Sequence, residues 1–192
     1  KKDDLVNLYR DHFELPNATE GEMIHILKNI KSTNKDTLDK LAHKTGYSFS
    51  DFLNMQQPFL TTGQLTSLHN RGFTIGAHSI NHPYYDQLSL EEQLEQTIGS
   101  CKYVQQITGD KQQYFSFPFS EENLPQQLFN ELNKSGIDLL FGLQNQKNET
   151  ANKMVHRFNA ERPTIKLDEQ LKGILLLSLL RKWLGKNKVH RN

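Results

Sequence analysis

The chain has 192 residues, a formal net charge of +1 and one cysteine, Cys101. This length is enough for one domain with its own hydrophobic core, and the near balance of 23 basic and 22 acidic side chains gives no overall field that would attract nucleic acid. One cysteine excludes an internal disulfide and a cysteine-rich zinc site, but it leaves the compartment open.

The first sixty residues are polar, and their apolar side chains recur at helical spacing only in short pieces. This pattern predicts small surface helices. No β-branched apolar run, the usual opening of a strand-first α/β domain, occurs before Phe73. We therefore assign residues 1–60 to a polar helical segment and residues 61–192 to an α/β portion.

From residue 60 onward, predicted helices and strands alternate. Gly72 ends a short helix, because glycine suits the left-handed position after a helix end. Ser89 and Glu92 form a capping box at the start of a longer helix, which stays apolar on one face until Gly109. The remaining predicted elements are strands at 73–77, 114–117, 137–143 and 154–158 and helices at 124–132 and 167–183. Alternation at this spacing indicates a parallel sheet or barrel.

Two histidines four residues apart, His78 and His82, follow the predicted strand at 73–77. In an extended strand they would lie roughly 13 Å apart, too far for both to bind one ion at about 2.0–2.1 Å. The chain must therefore turn after Ala77, and Pro83 favours such a turn because it disfavours helical dihedrals at the residue before it. The pair is typical of half of a metal site at the carboxyl end of a strand.

Imidazole ligands suit zinc, cobalt, nickel or iron better than magnesium or calcium. A hydrolytic zinc site usually adds a carboxylate and leaves one position for water. In the alternative interpretation, His78 packs beneath the loop and His82 lies on the surface, and spacing alone leaves both interpretations open.

Three features together carry a resemblance to a known family. They are the Gly-Phe-x-Ile-Gly-Ala-His-Ser-x-x-His core at 72–82, the helix from Ser89 to Gly109, and the Phe-Ser-Phe-Pro-Phe strand at 115–119. Over about residues 60–160 the chain resembles the polysaccharide deacetylases of carbohydrate esterase family 4, also called the NodB-homology family. The resemblance implies an α/β fold, an incomplete (β/α)7-type barrel with an N-terminal helical insertion, and an N-acetylated polysaccharide or oligosaccharide as substrate.

The resemblance also implies roles for individual residues. His78 and His82 correspond to the family's ligands for a divalent metal, commonly zinc. Ser79 corresponds to a small hydroxyl residue that could bond a backbone group and fix the loop. The backbone N–H of Phe119 corresponds to the amide after the family's proline, which helps to bind the tetrahedral oxyanion.

The sequence departs from the family pattern at three places. No strand ending in Thr-Phe-Asp-Asp supplies a third ligand and a base; the only Asp-Asp pair, at positions 3 and 4, is interpreted as charge at a helix N-terminus. Ser116 and Ser120 stand where arginine and glycine are expected. The Leu-His element of a general acid is missing, and His156 is the candidate substitute, because histidine titrates in the right range. A strand-end histidine bonded to backbone is the alternative.

The last predicted helix, 167–183, has a basic end. It could lie on a membrane surface, although we favour packing of its apolar side on the domain with its charges in solvent. No signal peptide is recognised, and the longest apolar run falls far short of the about 20 residues that cross a bilayer. The open edge left by absent strands predicts a homodimer, because exposed edges pair with other chains.

The favoured function is metal-dependent N-deacetylation by a parent enzyme, of which this chain is the greater part. The strands that carry the Asp-Asp pair would lie before Lys1. A non-catalytic carbohydrate-binding or structural remnant of the same fold is the alternative, because the aspartates and the arginine are missing. An unrelated metal-dependent hydrolase on an α/β barrel is a third interpretation.

Overall fold

The structure is a computed structural model that describes residues 2–28, 30, 35–144, 147–149, 151–158, 160, 164–189 and 191, with backbone only at 2–5 and 35. The chain forms two compact units, Lys1–Leu60 and Thr61–Asn192. Each unit is described by itself below.

The first unit contains short helices, as the sequence predicts. The described helices are α1 (Lys2–His12), α2 (Glu20–Lys28), α3 (Lys35–Thr45) and α4 (Phe49–Gln56). Met23 and Leu41 are its buried apolar side chains, each 2% exposed. The Asp-Asp pair at positions 3 and 4 lies in the first turn of α1, but its side chains lie outside the described part of the structure.

The second unit alternates helices with short strands. Its elements are α5 (Thr62–Asn70), a 3₁₀ turn (Tyr85–Gln87), α6 (Leu90–Thr108), β1 (Tyr114–Ser116), α7 (Gln126–Lys134), β2 (Leu139–Gly142), β3 (Asn148–Glu149), β4 (Met154–His156), α8 (Leu167–Trp183) and β5 (Lys188–Val189). The capping box at the start of α6 is confirmed, since Ser89 Oγ accepts from Glu92 N and the Glu92 carboxylate accepts from Ser89 N at 2.8 Å. Gly109 ends α6 with a φ of 74°, which glycine adopts without strain.

Two parallel sheets are formed. The larger has the strand order β1-β2-β4, and the smaller joins β3 to β5. The predicted strand at 73–77 is wrong in its extent, because only Ala77 pairs with the sheet, through bonds to Tyr114 O at 2.8 Å and from Ser116 N at 2.9 Å. Residues 73–76 do not form a strand because they have no pairing partner among the described residues. The chain then turns directly after Ala77.

The larger sheet buries one face. Phe115, Phe117 and Leu140 are at most 1% exposed and pack with the apolar side of α7, where Leu128, Phe129 and Leu132 are fully buried. Residues on the opposite face line a pocket of about 510 Å³, among them Tyr114, Ser116, Leu139 and Phe141. Within the described residues the sheet is open, so the fold is mixed α/β and no closed barrel is observed.

Helix α8 forms as predicted, but its orientation differs from the prediction. The side chains that are not exposed, Gln170, Ile174, Ser178 and Arg181, recur every three or four residues and therefore lie on one side of the helix. Apart from Ile174, its large apolar side chains occupy the remaining surface and are exposed, with Trp183 at 83%. The predicted packing of the apolar side on the domain is therefore wrong, and the membrane-surface interpretation stays untested. None of the helices in the described ranges is long and apolar enough to cross a bilayer.

Candidate functional site

The loop after Ala77 turns sharply, as the histidine spacing predicts. Ser79 and His82 adopt left-handed backbone conformations, with φ of 69° and 52°. The His82 N–H donates to Ser79 Oγ at 2.9 Å, which confirms the predicted loop-fixing role of the serine. Left-handed conformations are costly for residues other than glycine and persist only where surrounding contacts impose them.

Helix α6 holds this loop from the other side. The backbone N–H groups of Ile80 and Asn81 both donate to Gln96 Oε1 at 3.0 Å. Just after Pro83, the buried Tyr85 hydroxyl bonds Thr97 Oγ1 at 2.9 Å, and burial raises the pKa of that hydroxyl. The histidine loop is therefore fixed by α6 before and after His82.

The loop brings the two imidazoles together. His78 Nε2 and His82 Nε2 lie 3.1 Å apart, and His78 Nδ1 lies 2.7 Å from Ser116 O. Because a carbonyl oxygen only accepts, the His78 proton is on Nδ1 and the lone pair of a neutral ring is on Nε2. Both rings are exposed, so His78 does not pack beneath the loop.

This geometry fits two ligands of one ion. Two nitrogens bound to a tetrahedral zinc at about 2.0–2.1 Å lie about 3.3–3.4 Å apart, close to the observed separation. A carbonyl partner on the far ring nitrogen is what orients a metal-binding histidine. Within the described ranges, however, no group of three His, Cys, Asp or Glu side chains is placed to hold a metal. His78 and His82 thus have the separation of two ligands of one ion, and no third ligand accompanies them in this part of the chain.

Phe119 lies beside the histidine pair. Its ring contacts the His82 ring edge-to-face, with centroids 4.7 Å apart, and stacks on Tyr84 at 4.0 Å and 11°. Its backbone is left-handed, with a φ of 52°, and no acceptor among the described residues bonds its N–H. His78, His82 and Phe119 line one pocket of about 500 Å³, so the structure brings these three predicted residues together.

The positively charged side chain of Arg157, which the sequence analysis did not assign to the site, also lies at this pocket. Arg157 lines it together with Leu143 and Phe158, and Arg157 also lines the pocket on the open sheet face with Ser116. Ser116 Oγ is buried and has no hydrogen-bond partner among the described residues.

His156 is not brought to this pocket. Consecutive strand residues point to opposite faces, so His156 points away from the side to which Arg157 points. The His156 side chain is 1% exposed and lies between two carboxylates, with Nδ1 3.1 Å from Glu121 Oε1 and Nε2 3.1 Å from Glu149 Oε2. The alternative interpretation, a strand-end histidine bonded to backbone, is confirmed by a bond from Gln144 N to His156 Nδ1 at 3.4 Å, although it did not include the two carboxylates.

Arg191 completes a buried cluster that sequence reasoning missed. Its guanidinium donates to Glu149 Oε2 at 2.5 Å and to Glu121 O at 2.6 Å, and it lies 3.9 Å above the Phe129 ring. We call Glu121, His156, Glu149 and Arg191 the buried charge network. Its members are spread from residue 121 to residue 191, so no local spacing in the sequence indicates that they meet.

Both carboxyl groups of the network have lowered pKa values. Burial raises the pKa of Glu121, but hydrogen bonds from His156 and from Leu143 N outweigh it. Burial likewise raises the pKa of Glu149, and bonds from Arg191 and Ala151 N outweigh it. Glu121 and Glu149 are therefore ionised, and Arg191 compensates one of the two negative charges.

Comparison with known proteins identifies the family. A family model described as polysaccharide deacetylase matches residues 29–140, which is more than half of the chain. The chain therefore belongs to the polysaccharide deacetylase family, whose members are hydrolases that act on acetylated carbohydrate. The matched segment contains His78, His82 and Phe119 and ends before His156. No curated protein matches the chain. No solved structure matches it either.

Proposed function

We propose that this chain is part of a metal-dependent deacetylase that hydrolyses the C–N bond of N-acetyl groups on a polysaccharide or oligosaccharide. The single observation that carries the proposal is the 3.1 Å separation of His78 Nε2 and His82 Nε2, with His78 Nδ1 bonded to Ser116 O. The family match supports the reaction class.

His78 and His82 would hold the metal, for which we propose zinc. Neutral imidazole nitrogens suit zinc among the common catalytic metals. When bound, such an ion supplies Lewis acidity and makes a water molecule available as a nucleophile near neutral pH. The protein's own part is to hold both Nε2 atoms close to one point, to which Ser116 O contributes by orienting the His78 ring and Ser79 Oγ by fixing the loop.

Phe119 would bind the oxyanion that forms when the acetyl carbonyl is attacked. A donor that lacks a partner in the resting protein needs no reorganisation when the charge develops. The Phe119 N–H lacks an acceptor among the described residues, and its ring contacts His82. The left-handed backbone at Phe119 sets the direction of this N–H.

A base and a third ligand have no candidate in this pocket among the described residues. We propose that both come from a Thr-Phe-Asp-Asp-like strand that precedes Lys1 in the parent enzyme and completes a (β/α)7-type barrel. The open sheet face, with Leu139 and Phe141 lining a pocket, supports this, because a complete barrel would cover it. Sequencing of the upstream DNA should find the strand within about a hundred codons, whereas a stop codon directly before Lys1 would contradict it.

The proposed reaction also requires a general acid. His156 is enclosed by Glu121 and Glu149 with 1% of its side chain exposed, so the proposal gives it no proton transfer to substrate. Arg157 lines the histidine pocket, and its guanidinium is always charged, which suits binding of the carboxylate product rather than proton donation.

Release of acetate from acetylated chito-oligosaccharides tests the proposed reaction. The parent enzyme should lose at least about a hundredfold in kcat/KM when His78 or His82 is replaced by alanine, since the ion contributes several kcal/mol. His43→Ala, an exposed change in α3, is the matched control and should leave the rate unchanged. Acetate release that is equal in all variants would exclude this site.

A non-catalytic carbohydrate-binding role is the second candidate. The observation that favours it is the stacked pair of Tyr84 and Phe119, which are 45% and 42% exposed. An exposed aromatic face is apolar surface on which the C–H face of a sugar ring can pack. Binding of an acetylated oligosaccharide without any acetate release by the parent protein would favour this candidate over the enzyme.

A further inference from the structure

We propose that the buried charge network is a positioning device that holds the Phe119 N–H in place as the oxyanion donor. The inference rests on the proposed role of Phe119. It gives His156, Glu121, Glu149 and Arg191 a function that does not require contact with substrate.

The segment around Phe119 is anchored at both ends. Before it, the Phe117 N–H donates to Phe141 O at 3.0 Å. After it, Glu121 is fixed twice, because its Oε2 accepts from Leu143 N at 2.9 Å and its backbone carbonyl accepts from Arg191 Nη1 at 2.6 Å. Only residues 118–120 lie between the two anchors, and this short span contains the left-handed Phe119. Such a conformation persists when its flanks over-determine it.

The second anchor depends on charge compensation. The Glu121 side chain is 0% exposed, and burial of an uncompensated carboxylate is costly. Its Oε1 has no hydrogen-bond partner among the described residues, and His156 Nδ1 lies 3.1 Å from it. His156 is therefore the side chain that covers this buried oxygen.

The His156 ring connects three parts of the second unit. Its Nδ1 lies 3.1 Å from Glu121 Oε1 and 3.4 Å from the Gln144 backbone nitrogen, and its Nε2 lies 3.1 Å from Glu149 Oε2. Loss of the ring would remove the contact between Glu121 and Glu149 and loosen the anchor after Phe119.

The network also connects the Phe119 segment to the end of the chain. Glu149 lies on β3, which pairs with β5, and Arg191 follows β5 by two residues. Gly142 allows this arrangement, because a Cβ at that position would overlap the Glu121 carboxylate. Among the described hydrogen bonds, the bond from Arg191 to Glu121 O is therefore the one that links the carboxyl-terminal residues to the segment around Phe119.

Backbone NMR relaxation of the ¹⁵N-labelled chain tests the proposal without requiring activity. In the wild type the Phe119 amide should have an order parameter of about 0.85, and in His156→Gln it should fall below about 0.6. The Ser116 amide, bonded to Ala77 O, should stay near about 0.85. Glu131→Gln removes an exposed glutamate that pairs with Lys134 and is the matched control.

Arg191→Lys is the second variant. It keeps the positive charge beside Glu149 but loses the bond to Glu121 O. The order parameter of the Phe119 amide should therefore fall in this variant too. If His156→Gln does not fold, Arg191→Lys alone tests the proposal. An unchanged Phe119 order parameter in the folded variants would overturn the proposal. An equal fall in the order parameter of the Ser116 amide would also overturn it, because it would indicate that the whole unit has become more mobile. In the active parent enzyme, kcat should fall about tenfold with KM nearly unchanged. A wild type without activity would contradict the proposed function, while the NMR result would still decide this inference.

Discussion

His78 Nε2 and His82 Nε2 approach each other to 3.1 Å, although their positions in an extended strand would separate them several-fold further. The approach depends on two left-handed residues, Ser79 and His82, and on the bond between them. The convergence of the two nitrogens is therefore a property of the loop, and contacts that fix the loop should control metal affinity.

Ser79→Ala should weaken zinc binding about tenfold, since outer contacts of metal ligands typically contribute 10–100-fold. The change removes the acceptor of the His82 N–H but leaves both imidazoles in place. Competition titration with a chromophoric zinc chelator measures the effect. Ser67→Ala, an exposed change in α5, is the control, and equal affinities for the two variants would contradict the role of the loop.

Gly142→Ala should destabilise the second unit by about 1–3 kcal/mol, the usual cost of overpacking. The new methyl group would overlap the Glu121 carboxylate and the Met154 methyl group. Chemical denaturation followed by circular dichroism gives the free energy of unfolding. Gly173→Ala in α8 is the matched control, because nothing lies within 4 Å of its Cβ, and it should be neutral or slightly stabilising. A neutral result for Gly142→Ala would show that Glu121 lies elsewhere.

The contribution of Glu121 to stability should depend on pH. Folding lowers the pKa of Glu121 from its ordinary value of 4.5, so the ionised group stabilises the fold above that value, and the stabilisation disappears as the pH falls through the lowered pKa. Glu121→Gln should therefore cost about 3–5 kcal/mol at pH 7 and progressively less below pH 4.5. Urea denaturation at a series of pH values, with Glu131→Gln as the exposed control, measures the difference. A difference that stays constant with pH would contradict an ionised Glu121.

The unpaired edge at residues 74–76 leads to a prediction about assembly. An exposed edge with free N–H and C=O groups can pair with a second chain, so the chain should dimerise at high concentration. Thr74→Pro should shift the equilibrium to monomer, because proline removes one edge donor, and Thr74→Ser is the control. Static light scattering gives the mass, and a monomeric wild type at high concentration would contradict the prediction.

Local signals explain which parts of the fold could be predicted. The capping box at Ser89 and the glycine at Gly109 specify both ends of α6 within its own sequence. Helix α8 forms over the predicted residues without a side-chain cap at its N-terminus. The strand at 73–77 was wrong in extent because strand formation requires a partner, and the apolar pattern does not say whether one is present.

The same distinction applies to the site. His78, His82 and Ser79 are close in sequence, so their turn could be predicted from spacing and from Pro83. The environment of His156 could not, because Glu121 and Arg191 reach it from distant segments. A histidine at a strand end has the same sequence signature whether it faces a pocket or a buried pair of carboxylates.

Zinc binding by the intact chain tests the central claim most directly. Isothermal titration should give one site per chain for the wild type and for His43→Ala, and no site for the variant that carries both His78→Ala and His82→Ala. The affinity should be modest, since only two ligands are present in the described residues. If the variant without His78 and His82 binds zinc as the wild type does, these histidines are not the metal ligands and the account is wrong.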